Sequence, residues 1–291
     1  MPHEGGRGQS APAHGVGGSL CGAASTIAVI AGGRKAILKA GVLLAIVAGA
    51  LGWGLFLPAV VQPQAYHLFA DTRIVLAVPN VADTLSNLVF LLVGALGLAF
   101  FRRERAAGPS ERFATPQEMR PYFVFFAGVA LTSAGSAYYH LAPDDARLVW
   151  DRLPMTVAFM SLVAAVVSER ISVRLGTALL WPLVLLGLAS VAYWRWSALE
   201  GIENLRPYLA VQFGSIAVVL AASILYRSRY TRGGVIFALA AAYGFAKVFE
   251  VYDREIFEFG GWMSGHTLKH LAAAAGMYLL LTALQRRTVH Q

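Results

Sequence analysis

Ser136, His140, Asp151, His266 and His270 are the residues whose types and spacing could do chemistry in this chain. Ser136 and His140 stand four apart, and so do His266 and His270. Residues four apart share one face of a helix. Each pair lies in or at the rim of a long apolar stretch, where a polar side chain is costly and tends to be functional. Two imidazoles from one helix and a third from another match the three protein ligands of a catalytic zinc site, whose fourth position is open to water. Zinc lowers the pKa of such a water toward neutrality. Asp151 could accept that water's proton and pass it to a leaving group. The Ser136 hydroxyl, one turn before His140, could hydrogen-bond a developing oxyanion. The chemistry this predicts is hydrolysis of an amide or an ester.

Taken singly, each residue has a plainer reading. A histidine at a helix end is commonly interfacial. Ser136 beside Gly135 suits close helix packing. Asp151 suits a helix N-cap, or a partner for Arg147 or Arg152. His67 reads as interfacial, and Lys247 with Glu250, three apart, as an ion pair. The metal reading rests on the joint pattern. The only cysteine is Cys21, near the N-terminus, so thiolate ligands and an internal disulfide are excluded.

The elements that must position these residues are apolar. The chain has 291 residues, of which 57% are hydrophobic and only 14% charged. Ordinary globular chains carry roughly 25% charged residues. Mean hydropathy is +0.59. The apolar residues come in continuous blocks near 36–61, 84–101, 121–140, 152–169, 174–194, 207–226, 233–250 and 266–284. Continuous rather than alternating runs exclude a β-barrel and predict helices. The fold class expected is all-α: a polytopic membrane helix bundle, with a seven-span core over 80–284 and one additional N-terminal transmembrane helix at 36–61. Residues 1–33, rich in Gly, Ala and Ser, read as a disordered tail, and 285–291 as a short C-terminal tail.

Charge orients the bundle. The chain carries a net +8, yet its basic residues lie in short loops between apolar blocks, which argues for topology and against nucleic acid. With the N-terminus cytoplasmic, 16 of the 24 Lys and Arg fall on the inner side and 11 of the 16 Asp and Glu on the outer side. The positive-inside rule then predicts a multi-pass cell-membrane protein with both termini cytoplasmic. It also brings His140, Asp151, His266 and His270 to one outer, periplasm-like face, although Lys and Arg alone set the topology.

At these residues the chain resembles the alkaline ceramidases, members of a superfamily of seven-span membrane hydrolases that also contains the adiponectin-type receptors. The matching stretches are Ser86-Asn87-Leu88, Gly135-Ser136-Ala137-Tyr138-Tyr139-His140, Asp151-Arg152-Leu153-Pro154-Met155 and His266-Thr267-Leu268-Lys269-His270. The resemblance covers about residues 80–284. It implies zinc on His140, His266 and His270, with Ser136 and Asp151 catalytic. It also implies hydrolysis of the amide of ceramide, or of a related N-acyl lipid, to a fatty acid and a sphingoid base or other amine. The acidic D-W-C-E type stretch that binds calcium in eukaryotic members is absent from Ala77–Asp83, so calcium is not carried over. The extra span and the Ala/Gly/Arg-rich composition resemble a bacterial member, located in the inner membrane. The alternative within the same superfamily is a receptor or sensor with a structural zinc. No inverted repeat supports a transporter.

Overall fold

A computed structural model describes the backbone of residues 18–290 and the side chains of residues 33–290. Ten α-helices are present among the described residues, with no β-strand longer than an isolated bridge. They are α1 (Gly18–Phe56), α2 (Val81–Ser86), α3 (Leu88–Ala107), α4 (Met119–Leu141), α5 (Asp145–Arg170), α6 (Val173–Leu199), α7 (Arg206–Leu225), α8 (Val235–Val251), α9 (Asp253–Gly260) and α10 (Gly265–Arg286). The protein is an all-α helix bundle. Helix is the natural state of such apolar blocks, because it satisfies every backbone N–H and C=O within the segment.

Six helices are long and apolar enough to cross a membrane, and a seventh span results if α8 and α9 count together across their 75° bend. Eight spans are expected from the sequence. The shortfall lies in α4, whose length is sufficient but whose apolar character is diluted by Thr132, Ser133, Ser136, Tyr139 and His140. All five are buried. A helix enclosed by α3 and α5 can carry such residues because protein, rather than lipid, surrounds them.

Helix boundaries depart from the sequence reading at three places. The first helix begins at Gly18, not near residue 36, so part of the predicted tail is helical. An Ala-rich run without proline favours that extension; residues 1–17 of the predicted tail lie outside the described residues. α5 begins at Asp145, so Asp151 sits well inside the helix instead of opening it. The N-cap is Asp144, whose carboxylate accepts from Arg147 N at 2.7 Å. Residues 285–290 are not a free tail: Val289 N donates to Glu111 O at 3.1 Å and His290 N to Arg229 O at 2.9 Å.

The chain divides within α1, after Leu44, into two units. The first is the helical stretch up to that point, whose side chains from Gly33 to Leu44 are almost all exposed. The second, residues 45–291, holds the bundle and the site.

Candidate metal centre

α4 and α10 deliver the three histidines. His140 is in the last turn of α4, and His266 and His270 occupy the first two turns of α10. All three are buried, and one nitrogen from each lies within 4.8 Å of the others. Their ring centroids are 4.7, 4.9 and 5.2 Å apart. Among the described residues this is the one group of histidine, cysteine or carboxylate side chains arranged to hold a metal ion.

The hydrogen-bond accounting supports that use. His140 Nδ1 and His266 Nε2 are buried without any hydrogen-bond partner. Unpaired buried polar atoms are costly and few in native proteins. A cation between three imidazoles would satisfy them. His270 is already oriented from behind. The Ser86 hydroxyl donates to Asp83 O at 2.9 Å, so toward His270 Nδ1, 2.7 Å away, its oxygen is an acceptor. That places the proton on Nδ1 and leaves the Nε2 lone pair for a ligand, the kind of outer support that metal-bound histidines receive.

α10 starts where it does because Ser264 caps it, accepting from Thr267 N at 2.9 Å. Ser264 and Thr267 hydroxyls both donate to Asp83 Oδ1 at 2.6 Å, which ties α10 to α2. Asp253 accepts from His266 N at 2.7 Å and from Ala70 N at 2.9 Å, joining α9, α10 and the loop over residues 57–80. Asn80 Nδ2 donates to His140 O at 2.7 Å and holds the end of α4. Phe69 from the same loop packs its ring 4.6 Å from both His140 and His266 and covers that side.

Two glycines allow the close approaches. A Cβ on Gly135 would lie 2.0 Å from Trp150 O, so the glycine lets α4 meet α5 where Ser136 faces Asp151. A Cβ on Gly265 would lie 2.2 Å from Phe249 O, where α10 crosses α8 beside His266. Ser136 and Asp151 are both buried and line the same cavity.

Ser136, Asp151 and His270 all line one cavity of about 320 Å³. Arg152, Lys247, Glu250 and Lys269 line it at the same end of the bundle. Glu250 takes both lysines as ion-pair partners, Lys269 at 2.9 Å and Lys247 closer still, and accepts from Tyr66 Oη at 3.0 Å. The ion pair expected from the Lys247–Glu250 spacing is therefore present. Beyond this polar end the lining is mostly apolar, with Phe125, Phe159, Leu162 and Met277 beside Gln212 and Ser215, and it continues along α8 to Ile236. Fourteen residues of helix separate Glu250 from Ile236, about 21 Å at 1.5 Å per residue.

The three histidines thus cluster, and one of them, His270, shares a cavity with Ser136 and Asp151. Sequence reasoning missed others. His67, read as interfacial, has its side chain only 10% exposed and bonds Tyr139 Oη at 2.8 Å and Asp145 at 3.1 Å. Phe69, Asp83 and Asp253 gave no local signal either, since their partners are remote in the chain.

No protein-family model matches the chain, and no curated protein matches it. Fold and site together define an all-α, membrane-type helix bundle with a buried three-histidine cluster able to hold a metal ion.

Proposed function

We propose that this protein is a zinc-dependent intramembrane hydrolase that cleaves the amide of ceramide or a related N-acyl lipid. The observation that carries the reading is the junction of three elements in one place: the histidine cluster, the Ser136–Asp151 pair and a long apolar cavity. Zinc suits a site of three imidazoles with no thiolate, and when bound it supplies Lewis acidity and a water acidified toward neutral pH.

The chain's own residues do the rest. Asp151 receives the proton of the attacking water and returns one to the departing nitrogen as the C–N bond breaks. Ser136 donates its hydroxyl proton in a hydrogen bond to the oxygen that gains charge on the carbonyl. The apolar lining from Phe125 to Ile236 takes the acyl chain and keeps water from it. Water adds to the carbonyl carbon, and the products are a fatty acid and an amine. The distribution of basic residues supports a site facing the outer leaflet, with both termini cytoplasmic.

The test is purified full-length protein in detergent. It should hold about one zinc per chain, lost in His270→Ala, and release fatty acid from N-acyl lipids. Asp151→Asn should keep its zinc and lose turnover. Folded protein without zinc, or Asp151→Asn with full turnover, would refute the hydrolase. Zinc retained with no turnover by the parent chain on any N-acyl lipid would favour the receptor reading.

A further inference from the structure

Arg152 is a buried cation that the catalytic reading does not use. It follows Asp151 on α5, is 5% exposed, and lines the same cavity. Its guanidinium is boxed by aromatic faces, with Trp194 at 4.3 Å, Tyr208 at 4.6 Å and Tyr66 at 5.8 Å from ring centroid to Cζ. Nη2 donates to the neutral Gln62 Oε1 at 2.6 Å, and Nη1 is buried with no hydrogen-bond partner. Among the described residues Arg152 forms no ion pair. Glu250 is already held by Lys247 and Lys269. The charged lining comprises Arg152, Lys247 and Lys269 against Asp151 and Glu250, one positive charge in excess.

A structural arginine in this protein is treated differently. Arg287 is boxed by Phe113 at 4.3 Å, Tyr122 at 5.4 Å and Tyr230 at 3.9 Å, and its Nη1 meets Glu169 at 2.7 Å. The two boxes share their aromatic construction. Only that of Arg152 lacks a carboxylate, and only that one opens on the cavity that holds the candidate catalytic pair. A buried charge without a partner is costly, and a planar guanidinium with a free donor edge matches an oxyanion.

We infer that Arg152 anchors an anionic group, a carboxylate or a phosphate, on the head of the lipid substrate. The substrate class is then an N-acyl lipid with an acidic head, such as an N-acyl amino acid or a phosphorylated N-acyl amino alcohol, rather than a neutral ceramide. This rests on the N-acyl hydrolase reading. Arg152 is a binding and specificity residue, which sets which acyl amide is presented to Asp151 and Ser136.

The experiment compares N-palmitoylglycine, N-palmitoyl phosphoethanolamine and neutral N-palmitoylethanolamine on the zinc-loaded protein. An anionic substrate should exceed the neutral one in kcat/KM by roughly tenfold or more, as one charge-assisted bond provides. The two anionic substrates tell carboxylate from phosphate. Arg152→Gln should collapse the anionic-to-neutral ratio through KM, and Arg152→Lys should restore part of it. A parent enzyme that prefers the neutral lipid, or an Arg152→Gln variant that lowers all three alike, overturns the assignment. Binding to Asp151→Asn protein, read by displacement of a fluorescent fatty acid, separates this failure from failure of the hydrolase. Anionic lipids that bind more tightly than the neutral one, with the advantage lost when Arg152→Gln is added, uphold the anchor even without turnover. Equal affinity for all three refutes it.

Discussion

The two ends of the bundle solve the same problem in opposite ways. At the end formed by the start of α4 and the close of α5 and α10, buried charge is neutralised inside the protein. Glu169 accepts from Tyr122 Oη, Ser228 Oγ and Arg287 Nη1, each at 2.7 Å. Glu118 pairs with Arg229 at 3.7 Å and accepts from Tyr230. Arg170 spends its guanidinium on the carbonyls of Ser223, Tyr226 and Gly233. At the histidine end, three imidazoles face one another without a carboxylate, and Arg152 stands in its aromatic box without an anion. The first arrangement is a lock, in which carboxylates and arginines meet partners inside the protein. On the proposed reading, the second is completed by a cation on the histidines and an anion on the arginine. Where buried charge is paired within the protein it serves the fold, and where it is left unpaired it marks a candidate place for a ligand.

Substitutions can break that contrast. The largest effect is expected from Glu169→Ala, which strands Arg287 and should cost about 3–5 kcal/mol in denaturant unfolding in detergent. Arg152→Met, which removes a cation that has no carboxylate, should cost clearly less. Equal losses in the two variants would erase the distinction between lock and open site. Next comes Gly135→Ala. The added Cβ must move Trp150 O from its 2.0 Å approach, at a cost of about 1–3 kcal/mol. It should also part Ser136 from Asp151, so turnover falls while zinc content holds; unchanged turnover would show that their spacing is not needed. Ser264→Ala removes the cap of α10 and one bond to Asp83, for about 0.5–2 kcal/mol, and should weaken zinc retention as His266 loosens.

The smallest effect concerns the loop that covers the site. Burial pushes the Asp71 carboxyl up, but hydrogen bonds and charge from Arg73 at 2.7 Å outweigh it and hold the group below its usual 3.8. A carboxyl depressed in the folded state gives stability that is complete above its ordinary pKa and fades as pH falls below it. Arg73 is 43% exposed, so the pair is screened by solvent and its effect is small. Asp71→Asn should therefore unfold slightly earlier than the parent at pH 7, with the gap closing below pH 3.8. A gap that persists undiminished in acid would mean the carboxylate charge is not what matters.

Much of this was readable in the residues themselves. Helices follow from continuous apolar blocks, since lipid leaves the backbone few alternatives. The pairing of His266 with His270 and of Ser136 with His140 follows from the helical repeat. Charged positions were less legible. Asp151 could equally have capped a helix, and only the placement of Asp144 at the start of α5 shows that it does not. His67 and Arg152 have neighbours in sequence that say nothing of their surroundings. Ser86 supports His270 across 184 residues, and Gln62 meets Arg152 across 90.

The sequence by itself determined the helical class, the apolar segments and which residues are candidates for metal binding and acid–base chemistry, because those depend on local repeat and composition. Tertiary structure alone decided that α4 could be polar without facing lipid, that Asp83 and Asp253 fasten the start of α10, and that one aromatic box has its carboxylate while the other has none. These are matters of which distant side chains meet, and burial makes each unpaired charge expensive enough to mean something.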